Sequence, residues 1–578
     1  MRRFMILICL LALVQLSFAQ QATTLALSKC PLTIKITDPQ RQLKTFAPIL
    51  SRFDEIGHML QPNDAAPSVK LSSGITMISR VPGVNATGDF WLAITAQPDA
   101  VAPKADANQQ GGNAAKGNPA QAVPAFLLVP LQDAAKFQQA IAVARGMNQT
   151  LPPLQIFPNY AVVKVNGPDT PKFTGLDLDV HLISTQDIVI CGQVAAMQFP
   201  PAAAEVAPMA AMFGPIVNIF NSVQQNQQRV ELGFAMKGDD LALDALFIPV
   251  PGSSLAKSIE KAELTPLPTN LAGILPDNLA YCSASGPMWD GMPGLGSLGT
   301  QYIAGMFSAM APDDQRQAFQ TQLTNMVSLC SKGRAIGITA PAAGGGATIV
   351  AVYQTENVND TSALLLNFIG QTMQIRDAIF GGALTNVLKI EHKPAAEKIA
   401  GVQADILNIT LDTSGGRAQQ GGQAANKPIP IACRIAYMGD KMFFTAGEGC
   451  REQMADMISR AKTNTPAFTQ GKRFATMKTL LPENVHGFES FATLDLCRAM
   501  VSLFPLSPDQ KQNAMAFFDV LPSHRSTISG YQDCRQGCIH DEIYVPAEQT
   551  DFLFFLLKSA VQEQLNRAKA AQKPAPAQ

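Results

Sequence analysis

The sequence predicts an α+β protein: two related halves of repeated strand-strand-helix units, with mostly antiparallel sheets covered by helices. Three observations predict it. Gly233 to Pro251 returns without a gap as Gly530 to Glu548, so that Gly233 matches Gly530, Asp244 matches Asp541 and Pro249 matches Pro546, each 297 residues on. Trp91 to Ala96 is echoed by Ala335 to Ala340, each followed by a turn segment, an apolar strand (Phe126 to Val129; Thr348 to Val352) and a helix near Asp133 or Asp360. Val180 to Ser184 with Ile188 to Cys191 is echoed by Cys433 to Tyr437 with Met442 to Thr445. A duplicated unit must fold with its own apolar face to bury. Strands joined by short turns and followed by helices give antiparallel sheets with helical cover.

Residues 1–19 read as a signal peptide. Arg2 and Arg3 are basic, Phe4 to Val14 is apolar, and Ser17-Phe18-Ala19 is a small-x-small cleavage site. No later run reaches the roughly 18 apolar residues a spanning helix needs. The densest, Phe552 to Leu557, meets Lys558 at once. A periplasmic or secreted chain is expected, with a first half over 20–265, a second over 266–568 and a disordered tail over 569–578. Removing Arg2 and Arg3 takes the formal charge from −1 to −3. Neither that charge nor any basic stripe suits nucleic acid. With 15% charged and 47% hydrophobic residues, large buried areas or an exposed apolar face are expected.

The unit itself is legible. Val230 to Met236 and Leu241 to Val250 alternate as strands around Lys237-Gly238-Asp239-Asp240, and Pro249 and Pro251 close the second strand because proline cannot donate to a ladder. Ser253 or Ser254 then caps a helix to about Leu264. In the second copy Ser529 to Asp533 and Cys538 to Val545 are the strands, and Thr550 caps a helix to about Ala568. The second half is longer, through an extra strand and helix over Leu481–Phe504. Two stretches poor in aromatic residues, about 98–124 and 413–428, interrupt strand pairs and are expected to be disordered excursions inside hairpins, not domain linkers.

Nine cysteines remain beyond the signal peptide, an odd number. Cys534 and Cys538 bracket Arg535-Gln536-Gly537, read as a three-residue hairpin loop. That loop sets the two cysteines opposite each other, within disulfide reach. Free thiols are the competing reading.

Catalytic signatures are weak. Gly294-Leu295-Gly296-Ser297-Leu298-Gly299 satisfies G-x-G-x-x-G, but it is separated from the preceding strand by Pro287 and Pro293, so a helix-entry loop is expected and no cofactor. No two histidines have the spacing of a helical metal pair, and no metal site is expected. His540-Asp541-Glu542 is the densest acid-imidazole group. On a strand His540 and Glu542 share a face while Asp541 points away, and Asp541 repeats Asp244, whose neighbours are apolar. A structural role is expected. Asp54 and His58 fall on one helical face as a possible pair, and no G-x-S-x-G elbow occurs. Two apolar helices, over Ala207–Phe220 and Thr300–Met310, serve either as core or as walls of an apolar groove with Met209, Phe213 and Phe220.

Leu275 to Tyr281 and Leu481 to Phe488 each carry an L-P-x-N entry to a strand. In this the chain resembles uncharacterised exported bacterial α+β proteins with leader peptides. The resemblance implies a class and no site residues. The expected function is a non-enzymatic interaction or scaffolding role with a protein partner of the cell envelope or exterior. A carrier of an apolar ligand is the alternative, and an exported hydrolase comes third.

Overall fold

The computed structural model describes residues 24–60, 67–95, 124–147, 151–166, 173–180, 182–194, 225–262, 269–286, 332–341, 345–363, 367, 388–411, 429–482, 485–503, 508–519, 521 and 526–571. They are mixed helix and strand, with long runs of antiparallel pairing, as the sequence predicts. Two compact units emerge, divided otherwise than expected. Unit 1 comprises 1–200, 227–249 and 546–578, and unit 2 comprises 201–226 and 250–545. The chain passes into unit 2 at Val250 and returns to unit 1 at Pro546.

Unit 1 contains β1 (Thr24–Ala26), β2 (Leu32–Thr37), α1 (Pro39–Thr45), α2 (Ala47–Leu60), α3 (Pro67–Ser79), β3 (Asp89–Ile94), β4 (Ala125–Pro130), α4 (Ala134–Gly146), β5 (Leu154–Ile156), β6 (Tyr160–Asn166), β7 (Gly175–Asp177), β8 (Ile188–Gln193), β9 (Gln227–Lys237) and β10 (Asp240–Pro249). Its sheet runs β5–β6–β4–β3–β2–β8–β9–β10, antiparallel throughout. β1 and β7 form a separate parallel pair. Alternation along the strands sends Trp91, Ala93, Phe126, Leu128 and Val162 to one core with Leu25, Leu27 and Phe173. Phe90, Val129 and Ala161 go to the other face, against Val84, Leu131 and Phe137 of α4. Asp133 caps α4 by accepting the Lys136 amide at 3.0 Å, which holds its carboxyl below the usual carboxylate range.

A buried acid fastens loop 182–187 to this sheet. Glu231 has no solvent exposure, and its Oε2 accepts the amides of Ile183 and Ser184, each at 2.8 Å. Oε1 lies 2.7 Å from Arg229 Nη2, an ion pair whose alignment falls short of a directed hydrogen bond. Ser184 Oγ in turn donates to Asp244 Oδ2 at 3.2 Å. Gly233 is required here, since a Cβ would stand 2.5 Å from Ser184 Oγ and 2.6 Å from Gln186 Cγ.

The helix Ala547–Ala571 belongs to unit 1. Asp240 Oδ1 accepts its first amide, that of Ala547, at 2.8 Å. Against α2 it sets Phe554 edge-on to Phe53 (4.8 Å between centroids), pairs Asp551 with Arg52, and brings Lys558 to 2.8 Å from Glu55.

Unit 2 contains α5 (Ser254–Ala262), α6 (Thr269–Ile274), β11 (Leu279–Ser285), β12 (Arg334–Thr339), β13 (Thr348–Gln354), β14 (Leu388–Ile399), β15 (Val402–Leu411), β16 (Ile429–Met438), β17 (Lys441–Gly447), α7 (Cys450–Thr463), α8 (Lys472–Lys478), β18 (Gly487–Phe491), α9 (Thr493–Leu503), α10 (Pro508–Asp519), β19 (Ile528–Arg535) and β20 (Cys538–Val545). The antiparallel order is β14–β15–β16–β17–β13–β12–β11–β18–β19–β20. One face carries the main core, where Val350, Val352, Phe443 and Phe488 meet α6, α7 and the rings of Phe468 and Phe474. On the other, Ala280 and Ala347 pack with Ala499 and Leu496 of α9.

Most predicted elements are present, and the exceptions are instructive. Val180 and Leu182–Ser184 form no strand, and Ile183 and Ser184 belong to the loop that Glu231 holds. Ser253 does cap α5, its Oγ accepting the Ala256 amide at 3.2 Å. Thr550 does not cap the last helix, which begins at Ala547 and takes its acceptor from Asp240. The gap-free match also slips at the turn. The first hairpin turns at Gly238–Asp239 and the second at Gln536–Gly537, one residue past the matched position. Asp244 therefore stands opposite Gly233, whereas Asp541 stands opposite Gln532 rather than Gly530. Both interrupting stretches lie inside hairpins, since Ile94 pairs with Ala125 and Leu411 with Ile429. The stretches themselves, residues 1–19, the two apolar helices with Met209, Phe213 and Phe220, and the glycine motif lie outside the described residues.

Burial pushes the Cys30 and Cys191 thiols up to about 12 and Cys433 up to about 11, because a thiolate cannot be solvated there. The folded chain thus holds these protons more tightly than the unfolded chain. Their stabilising effect is complete below about pH 9 and is lost as pH rises toward about 12. Urea unfolding between pH 8 and 10.5 should show stability falling with pH, with a shallower fall in a Cys30→Ala, Cys191→Ala chain. An equal slope in the two chains would remove the thiols as its cause.

Candidate functional site

The polar candidates separate into a sealed cluster and an open cleft, both in unit 2. In the sealed cluster, β19 and β20 set Asp533 opposite His540, Tyr531 opposite Glu542 and Gln532 opposite Asp541. His540 Nδ1 lies 2.9 Å from Asp533 Oδ1, and both side chains are 5% exposed. The Tyr531 hydroxyl donates to Glu542, its ring meets His540 edge-on at 5.8 Å, and Gln532 Nε2 donates to Asp541 at 2.8 Å. His540 and Glu542 do share a face and Asp541 turns away, as strand alternation requires. These groups satisfy one another, all but the half-buried Glu542 within the interior, which suits fixing a hairpin register better than meeting a substrate.

Asp533 and Tyr531 are the residues that sequence reasoning missed, and the reason is the turn. Gln536 and Gly537 both take positive φ, 52° and 72°, which makes a two-residue loop. The expected three-residue loop is therefore wrong. Cys534 faces Ile539 and Cys538 faces Arg535, so neighbouring positions put the two cysteines on opposite faces of the ladder rather than side by side. Glu55, beside the predicted Asp54–His58 pair, turns to Lys558, and His58 is exposed. Among the described residues, no group of three or more His, Cys, Asp or Glu could hold a metal ion.

The open cleft encloses about 660 Å³ and is walled by Pro341, Gly345, Gly346, Glu448, Arg498, Ser502, Lys511, Gln512, Met515 and Asp519. Its floor is the turn from β17 into α7. Gly447 and Gly449 take φ of 106° and 70°, so the chain reverses sharply and leaves Glu448 projecting. Thr348 Oγ1 donates to the Glu448 carbonyl and steadies that turn. Gly346 has no side chain to displace the Glu448 carboxylate, which occupies the space a Cβ would need.

α9 and α10 form the walls, and their side chains are tied. Arg498 Nη2 donates to Asp519 Oδ1 at 3.0 Å and to the Phe518 carbonyl at 3.1 Å. Lys511 Nζ donates to the Ser502 carbonyl at 2.9 Å. Ser502 Oγ donates to the Ala499 carbonyl at 2.8 Å and accepts the Ala347 amide at 2.9 Å. Such mutual bonds fix positions before anything binds, which lowers the ordering cost of binding. None of these residues was singled out from the sequence, because they come from three separate stretches and form no local motif.

No family model, curated protein or solved structure matches this chain.

Proposed function

We propose that the chain is an exported, duplicated α+β protein that holds a ligand or partner without transforming it, and that the α9–α10 cleft is its binding site. The duplication is supported by the strand path. Without β14 and β15, the unit 2 order β16–β17–β13–β12–β11–β18–β19–β20 follows β5–β6–β4–β3–β2–β8–β9–β10 strand for strand, and the chain visits corresponding strands in the same sequence. On this path β18 answers β8, and β14–β15 is the surplus of the second half in place of Leu481–Phe504. The L-P-x-N entries lead into β11 and β18, which are not equivalent strands.

The observation that carries the binding reading is the cleft's construction. Its walls are locked by bonds to backbone and to each other, with Ser502, Lys511, Arg498 and Asp519 all held in place, a construction that suits positioning a ligand. Native mass spectrometry of the full chain, after incubation with the low-molecular-weight fraction of an envelope extract, tests this. We expect a retained adduct that disappears in Gly346→Trp, which fills the cleft from its rim. Failure to retain any adduct, or an adduct indifferent to the substitution, would count against the cleft.

A specific observation also supports the apolar-carrier reading. A groove of about 610 Å³ in unit 1 is lined by Leu43, Ala47, Leu50, Val69 and Met77, with Val69 and Met77 exposed by 56% and 72%. An acyl chain among the retained adducts, insensitive to Gly346→Trp, would favour that groove.

A further inference from the structure

We infer that the α9–α10 cleft takes a short peptide with both ends free, its carboxylate at Lys511 and its ammonium at Glu448. The inference deepens the reading of the cleft as a binding site and rests on it. Four ionisable side chains line the cleft, two of each sign. Arg498 and Asp519 are spent on each other at 3.0 Å. Lys511 and Glu448 are not. The Lys511 ammonium meets a neutral carbonyl, that of Ser502, and the described residues give neither it nor the Glu448 carboxylate an opposite charge.

A single cation and a single anion thus face one space without neutralising each other. A polyanion placed there would meet Glu448 and Asp519, and a polycation would meet Lys511 and Arg498. Either pairing brings like charges together in a partly enclosed site, where repulsion is poorly screened. A zwitterion satisfies both ends.

The wall between the two charges is continuous. It runs from Lys511 to Ser502, from Ser502 Oγ to the Ala347 amide at 2.9 Å, and through Gly346 to the Glu448 carboxylate. Gly345 and Gly346 bring no side chains of their own into the cleft, so a bound backbone can approach beside the Glu448 carboxylate that lies against Gly346. Met515 and Pro341 offer apolar contact for small side chains. An extended tripeptide spans about 10 Å, and the cleft's volume falls within the roughly 300–1,000 Å³ that small ligands occupy.

Calorimetric titration of the full chain with tri-alanine, its N-acetyl form and its C-terminal amide tests the inference. Loss of one charge-assisted contact, partly screened by solvent at the rim, should weaken binding about tenfold. Acetylation should weaken binding to the native chain yet cost nothing further in Glu448→Gln. Amidation should behave likewise with Lys511→Met. Both side chains reach solvent, so the variants should melt with the native chain; if one does not, the three probes on the native chain decide alone. Equal binding of free and blocked peptides overturns the proposal. So does failure of tri-alanine to bind a chain that retains an extract adduct sensitive to Gly346→Trp, and that outcome leaves the cleft itself standing as a site.

Discussion

Glu231→Ala is expected to cost unit 1 about 3–5 kcal/mol, the range found when one partner of a buried ion pair is removed. The side chain is wholly enclosed and carries two tasks. It accepts the amides of Ile183 and Ser184, and it faces Arg229, whose side chain is 18% exposed. Alanine leaves two donors without their acceptor and takes the facing carboxylate from Arg229, and each stranded amide costs about 1–3 kcal/mol unless water enters. The two tasks can be separated. Glu231→Gln keeps an oxygen for the amides and loses the charge, so it should cost less than alanine. Replacing Arg229 by Met together with Glu231→Leu removes the guanidinium but not the stranded amides, so it should recover only part of the loss. Urea unfolding followed by Trp91, 6% exposed within the unit 1 core, gives the readout, with Trp289→Phe removing the second indole. A midpoint for Glu231→Ala within experimental error of the native chain would mean that loop 182–187 finds other acceptors.

That acid also shows where the sequence was readable. Strands whose apolar residues alternate, such as β3, β4, β9 and β10, fall where periodicity places them, because a half-buried strand must alternate. Val180–Ser184 carries a similar pattern, yet Leu182–Ser184 forms no strand, because the Ile183 and Ser184 amides bond to a carboxylate on a distant strand. No local rule carries that information. The hairpin of β19 and β20 was legible as two strands but not in register. Gln at a left-handed turn position is uncommon, so the turn type was misread and the Asp533–His540 pair with it. The cleft was illegible for a different reason. Glu448 projects from a Gly-Glu-Gly turn, Arg498 and Ser502 lie on α9, and Lys511 and Asp519 on α10, and only tertiary packing brings these stretches together.

The helix Ala547–Ala571 was expected to close the second half, yet it packs in unit 1, and its removal should therefore be felt there. Phe552 is 2% exposed, and a buried Phe→Ala substitution costs about 3–5 kcal/mol through lost transfer energy and the cavity left behind. Phe552→Ala should lower unit 1 stability by that amount. Phe554→Ala, which removes the edge contact with Phe53, should cost less because Phe53 is 49% exposed. The surface pairs Arg52–Asp551 and Lys558–Glu55 should contribute little, since solvent screens exposed ion pairs. Asp240 adds a cap to the first turn at a distance of 307 residues in sequence, and Asp240→Ala should cost about 1 kcal/mol. The order Phe552 > Phe554 ≥ Asp240, read by Trp91 in urea, is specific to a helix docked on unit 1. A helix closing the second half instead would leave the Trp91 transition unmoved by all three substitutions while still lowering the stability of unit 2.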